Sequence, residues 1–201
     1  MALLDQLNPA QRQAAEAVDG PVLVFAGAGS GKTRALTYRI AHMVRECGIP
    51  AKSILAVTFT NKAANEMRER IRALIGNEGR GLWAGTFHSM CARMLRADGQ
   101  AIGIADNYVI YDDGDQLSLI KQAMSVLDID SKQFKPADVL YAISAAKNEL
   151  VGPQQYRHAS KGPFDDVVRR AYSLYQQKLR ENNALDFDDL VTLPLLLLSR
   201  D

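Results

Sequence analysis

The feature that most constrains this chain is the run Ala26-Gly27-Ala28-Gly29-Ser30-Gly31-Lys32-Thr33, set between an apolar segment and an amphipathic one. Ahead of it, Val22-Leu23-Val24-Phe25-Ala26 is continuously apolar, with β-branched and aromatic content. It predicts a strand buried on both faces, as in a parallel sheet. Behind it, Leu36, Ile40, Met43, Val44 and Cys47 recur at helical spacing until Gly48-Ile49-Pro50 breaks the pattern. Strand, glycine turn and helix in that order can hold a triphosphate. The glycines let backbone N–H groups turn inward, and the helix N-terminus adds its partial positive charge. In such a loop Lys32 reaches the β- and γ-phosphates and the Thr33 hydroxyl holds Mg²⁺. The generic pattern has glycine where this chain has Ala26, while Gly31-Lys32-Thr33 is intact. The alternative is a glycine turn with a chance Lys-Thr pair; the flanking strand and helix favour nucleotide binding.

The alternation continues. Leu7-Asn8-Pro9-Ala10-Gln11 predicts a helix start: Asn8 caps, Pro9 suits the first turn, and Gln11 stands three residues after the cap. Ile54 to Phe59 predicts a second buried strand, followed by a helix with Ala63, Ala64, Met67, Ile71, Leu74 and Ile75 on one face. Leu82 to Thr86 predicts a third strand, with Phe87, Met90, Cys91, Met94 and Leu95 on the helix after it. Such repetition is the signature of a doubly wound α/β sheet.

Beyond Tyr108-Val109-Ile110-Tyr111, a possible further strand, the pattern turns helical. Asp113 and Gln116 suggest a second capping box before Leu117, Ile120, Met124 and Leu127. Pro136 and Pro163 each start a helix, with a loop from Val151 to Gly162 between them.

A hydrophobic share of 47% and a charged share of 23% fit a folded globular chain and exclude disordered or low-complexity classes. The apolar run Leu195 to Leu198 is far too short to cross a bilayer, and the first residues do not form a leader peptide. Two cysteines cannot make a disulfide scaffold or a zinc site, so a cytoplasmic setting is expected. The net charge of +1 neither requires nor excludes a nucleic-acid partner, which would have to rest on local donors.

The segment Gly27 to Arg34 resembles motif I of the UvrD/Rep/PcrA group of superfamily 1 DNA helicases, where alanine is usual at the Ala26 position. Leu7 to Gln11 resembles that family's Q motif, Thr58-Phe59-Thr60-Asn61-Lys62-Ala63-Ala64 its motif Ia, and Gly85-Thr86-Phe87-His88-Ser89 its motif Ib. Leu185-Asp186-Phe187-Asp188-Asp189-Leu190 resembles a late motif of the first core domain. The resemblance implies a P-loop RecA-like parallel sheet flanked by helices. Residues 1–111 would be the first part of that ATP-binding core, 112–183 an inserted helical subdomain, and 184–201 a return to the core, truncated before Walker B. It implies an ATP- and Mg²⁺-dependent 3′→5′ DNA helicase of repair or replication, acting on single strands and on junctions with duplex, with other repair or replication proteins as candidate partners. A helicase–nuclease subunit and a non-catalytic nucleotide- and strand-binding module are the alternatives.

Each site residue has a plainer role beside the implied one. Gln11 completes a capping box or reads the adenine edge, and the resemblance favours adenine. Arg34 is a solvated helix arginine or a nucleotide contact. Phe59 is core or a stacking face, and Thr60 and Asn61 are caps or strand contacts. Thr86, His88 and Ser89 are implied to touch the DNA backbone. Lys62, Arg68, Arg70 and Arg72 are expected to be a solvated helix face. Asp186 is expected to be an N-cap, with Asp188 and Asp189 an acidic first turn rather than metal ligands. The Asp-Glu pair that holds Mg²⁺ and orients water in such ATPases does not occur in these residues, so the chain alone is expected to be inactive.

Overall fold

The computed structural model describes residues 3–27, 29–156 and 162–199. The chain divides into two compact units, Met1–Met90 and Cys91–Asp201.

In the first unit, α1 (Pro9–Glu16) starts as the sequence predicts. Asn8 Oδ1 accepts from Gln11 N at 2.9 Å, while Asn8 N donates to Gln11 Oε1 at 3.3 Å. This reciprocal pair satisfies donors that the first helical turn would otherwise leave open. Helix α2 (Lys32–Arg45) follows the glycine loop, and Arg39 ties it to the end of α1 by donating to Ala14 O in that helix and to Val18 O just beyond it. Strand β1 (Leu55–Thr58) pairs in parallel with β2 (Trp83–Thr86), Ala56 opposite Ala84. The crossover between them is α3 (Asn61–Ile75), capped by Thr60 Oγ1 accepting from Ala63 N. Ile40 and Ala41 of α2, Met67, Ile71 and Ile75 of α3, and the two strand alanines close one core. Full burial of each large side chain there contributes about 1.5–3 kcal/mol. Helix α4 (Phe87–Asp98) begins directly after β2.

The expected first strand does not form. Val22 to Ala26 has no strand assignment, and Leu23 and Phe25 are 77% and 91% exposed. An apolar run satisfies the faces of a buried strand but not its edges. A strand also needs neighbours to take its N–H and C=O groups. Strand β1 has β2 for its neighbour, and no described strand pairs with Val22 to Ala26.

In the second unit, β3 (Val109–Ile110) forms within the expected Tyr108–Tyr111 segment and pairs in parallel with β4 (Ala184–Leu185), a strand the sequence did not reveal. Between them lie α5 (Asp113–Val126), α6 (Pro136–Asn148), α7 (Pro153–Tyr156) and α8 (Pro163–Glu181); α9 (Phe187–Leu198) follows β4. The cap of α5 is one residue earlier than expected. Asp112 Oδ1 accepts from Asp115 N and Asp115 Oδ2 from Asp112 N, while Gln116 turns inward and donates to Tyr111 O. The expected loop from Val151 to Gly162 contains α7, and residues 157–161 lie outside the described set. Ile120, Met124, Val139, Ile143, Val168, Tyr172, Tyr175 and Leu179 form the helical core. The fold is therefore mixed α/β, mostly helical, with two short parallel sheets among the described residues. No described helix is long and apolar enough to cross a membrane.

Candidate functional site

The glycine loop takes its shape from backbone angles that only glycine adopts without strain. Gly29 has φ +75° and Gly31 φ +85°, the latter at the N-cap of α2. No side chain caps that helix, so its first N–H groups stay available to an anion. Lys32 Nζ lies back over the loop, donating to Ala26 O at 2.8 Å and Gly27 O at 2.7 Å. Ser30 Oγ donates to Gly27 O at 2.7 Å, which closes the turn. An ammonium held only by neutral carbonyls gains by transfer to phosphate oxygens, since charge-assisted hydrogen bonds are about twice as strong. Thr33 is exposed at the same helix start. Ala28 lies outside the described residues. A cavity of about 360 Å³ opens beside Lys32 and Thr33, lined also by Val22, Val24, Leu36 and Arg39. That size falls in the range of small-molecule sites.

Gln11 reaches the same loop. Its Nε2 donates to Ser30 O at 3.0 Å, and a Cβ on Gly31 would collide with it. The capping box and the approach to the loop therefore coexist in one side chain. Arg34 points elsewhere: its Nη2 donates to Gln6 O at 2.9 Å and its guanidinium lies 5.3 Å from the centre of the Tyr38 ring.

The two strand ends build a second, exposed feature. Phe59 is 88% exposed and its ring lies 5.5 Å from that of Phe87, tilted by 39°. The sequence placed Phe87 on the apolar face of its helix; the structure leaves it 44% exposed beside Phe59. Thr60 and Asn61 are exposed at the start of α3, with the Thr60 hydroxyl engaged as a cap. His88 and Ser89 are exposed at the start of α4. Thr86 is buried and accepts from Ser89 N at 3.2 Å, while Ser89 Oγ donates to Thr86 O at 2.9 Å. Gly85 makes this tight start possible, because a Cβ there would sit 2.5 Å from Ser89 Oγ. Of the basic residues on α3, Arg68 donates to Ala84 O and to Asn65 Oδ1, and Arg70 lies 3.8 Å from Glu66. Those two have local protein partners on or beside the helix.

Two features were illegible in the sequence. One is the Gln11 contact to Ser30, which joins residues 19 apart. The other, in the second unit, is the burial of Lys147 between Asp186 and Asp189. Asp186 caps α9 as expected, accepting from Asp189 N, and Asp188 and Asp189 stand in its acidic first turn as expected, with Asp189 buried there.

The sequence matches the UvrD/REP helicase N-terminal domain family over residues 7–201. It is 48% identical over 198 residues to the ATP-dependent DNA helicase PcrA of Bacillus subtilis (strain 168), covering 98% of this chain and 27% of that protein. The identity is 44% over 194 residues to PcrA of Leuconostoc citreum, at 96% and 26% coverage. It is 46% over 199 residues to PcrA of Staphylococcus aureus (strain Mu50 / ATCC 700699), at 99% and 27% coverage. The chain thus spans about a quarter of the length of these relatives. With a lysine-bearing glycine loop at a helix start and a match running through nearly every residue, the chain belongs to the UvrD/REP helicase N-terminal domain family.

Proposed function

We propose that this chain is the ATP- and single-strand-binding part of an ATP-dependent 3′→5′ DNA helicase of repair or replication. The observation that carries the reading is convergence on one glycine loop. The Lys32 ammonium and the Gln11 amide both contact its backbone. An ammonium suits the β- and γ-phosphates and an amide suits an adenine edge, so one loop serves both ends of ATP. Arg34, which the resemblance places at the nucleotide, would have to leave its bond to Gln6 O to reach it. Thr33 supplies a hydroxyl oxygen of the kind Mg²⁺ takes, the triphosphate supplying others. Among the described residues no group of three His, Cys, Asp or Glu could hold a metal, so the ion would arrive with the nucleotide.

The exposed Phe59 ring, with Thr60 and Asn61 at one helix start and Thr86, His88 and Ser89 at the next, forms the single-strand side. Bases stack on aromatic faces, and helix-start amides meet phosphates. The domain reading is a RecA-like core beginning at 1–111, a helical insertion at 112–183 and a return at 184–201. It is supported by the parallel pairing of β3 with β4, which brackets α5 to α8. ATP binding would close the cleft between this core and a second one, and hydrolysis would reopen it as strand contacts alternate.

These 201 residues contain no Asp-Glu pair, which favours binding without turnover by the chain itself. Titration calorimetry with ATP and Mg²⁺ tests the reading: the chain binds ATP, Lys32→Ala abolishes binding, and phosphate release stays at background. Equal ATP affinity in the variant would remove the phosphate-loop assignment.

A further inference from the structure

Gln11 is held at both ends of its amide. Its Oε1 accepts from Asn8 N at 3.3 Å and its Nε2 donates to Ser30 O at 3.0 Å. A glutamine amide has two N–H donors and two acceptor lone pairs. One of each is occupied here, which leaves one N–H and one lone pair for a ligand. The orientation is imposed chemically. A flipped amide would set Nε2–H₂ against the Asn8 N–H and Oε1 against the Ser30 carbonyl. Two hydrogen bonds would become a donor–donor and an acceptor–acceptor clash. The Asn8 side chain holds this arrangement by accepting from Gln11 N at 2.9 Å, which fixes the first turn of α1 against the loop.

We propose that Asn8, whose side chain fixes the first turn of α1 so that its own N–H meets Gln11 Oε1, is a positioning residue that, together with the Ser30 carbonyl, makes the site select adenine over guanine. The proposal rests on Gln11 reading the base. Adenine offers N7 as an acceptor and N6–H₂ as a donor, which match the remaining N–H and lone pair. Guanine offers two acceptors, O6 and N7, so one of them must face Oε1. A freely rotating amide could turn its NH₂ toward both guanine acceptors. The locked amide can do so only by breaking its bonds to Asn8 and Ser30. Selectivity therefore resides in the two backbone groups that fix the amide as much as in the amide itself.

The test compares affinities of the 201-residue chain for ATP, GTP and inorganic tripolyphosphate, each with Mg²⁺, by titration calorimetry. The wild-type chain should favour ATP over GTP by about tenfold to a hundredfold, the discrimination of one good bidentate contact. Asn8→Ala keeps the backbone N–H but removes the side-chain cap that holds it against Gln11 Oε1, so it should shrink that ratio to about threefold or less while leaving tripolyphosphate affinity unchanged. Asn8→Asp, which keeps the cap, should restore the ratio. An unchanged ratio in Asn8→Ala overturns the proposal, as does a wild-type chain that binds ATP and GTP equally. A wild-type chain that fails to bind tripolyphosphate overturns the nucleotide reading itself, and this proposal with it. Nitrogen-edited NMR of the wild-type chain tests the lock without any variant. One Gln11 Nε2 proton should already be protected in the free chain, and ATP should protect the second where GTP does not. Two equally unprotected protons in the free chain would overturn the lock.

Discussion

Lys147 Nζ lies 2.6 Å from Asp186 Oδ2, both side chains almost fully buried, although 39 residues separate them. The same ammonium lies 2.7 Å from Asp189 Oδ1. Tyr175 donates its hydroxyl proton to Asp186 Oδ2 at 3.0 Å, and Gln176 Nε2 donates to Asp189 Oδ2 at 3.3 Å. Helices α6, α8 and α9 therefore meet at one buried polar cluster beside the apolar core of the unit. Two carboxylates share one ammonium, and burial pushes the Asp189 carboxyl above the usual carboxylate range against the pull of Lys147. Burial and the charge of Asp186 push the Tyr175 hydroxyl up as well, keeping it a donor.

Replacing Lys147 with methionine keeps the volume and removes the cation bonded to both carboxylates. Deleting one partner of a buried pair typically costs about 3–5 kcal/mol, because the other charge is left without compensation. Urea unfolding of Lys147→Met at neutral pH should show a loss of that order. A variant as stable as wild type would mean the cluster is hydrated in solution.

The Asp189 carboxyl has a definite pH signature. Its folded-state pKa is raised, so the folded chain holds this proton more tightly than the unfolded chain. The associated stability is full below the ordinary value of 3.8 and is lost as pH rises through the raised folded value. Asp189→Asn removes the titrating group. Across about pH 4 to about pH 7, the variant's stability relative to wild type should therefore improve as pH rises. Urea midpoints measured through that window check the sign; a difference independent of pH would contradict it.

Phe59→Ala and Phe87→Ala should each weaken binding of single-stranded oligonucleotides, the loss per stacked base being about 1–3 kcal/mol. Both rings are exposed, so thermal midpoints should change little. Fluorescence anisotropy with a labelled strand reads the first effect and calorimetric melting the second. Early melting with unchanged strand affinity would make the rings structural.

Gly31→Ala meets two obstacles: a left-handed backbone at φ +85° and the collision of its Cβ with Gln11 Nε2. The backbone cost alone is about 1–2 kcal/mol. Gly27→Ala meets neither, having open space around its Cβ and no left-handed φ. Nucleotide affinity should fall steeply in the first variant while both variants remain folded by circular dichroism. Equal affinity in the two would mean the Gly31 conformation is not required.

Local chemistry made much of the candidate site legible. The glycine turn ahead of α2, the capping box of Asn8 with Gln11, the Thr60 cap and the Asp186 cap depend on residues within a few positions of one another. A side chain meeting a backbone group three residues away needs no knowledge of the rest of the chain. The α5 cap shows the limit of such reasoning. Asp112 and Asp113 are both competent, and the inward turn of Gln116 to Tyr111 O accompanies the earlier one.

What the amino-acid order alone determined is this set of short-range geometries, together with the apolar stripes of the longer helices. Tertiary structure decided the pairings. Val22 to Phe25 has every local quality of a buried strand, yet it stays exposed, because a strand forms only where another edge accepts its hydrogen bonds. Ala184–Leu185, too short to be noticed, is a strand because Val109–Ile110 lies alongside it. Lys147 and Asp189 carry the composition of a solvated surface and lie buried, because α6 and α9 bring opposite charges together. Polarity is a property of the residue, whereas the burial of a charge is decided by the partner that the fold brings to it.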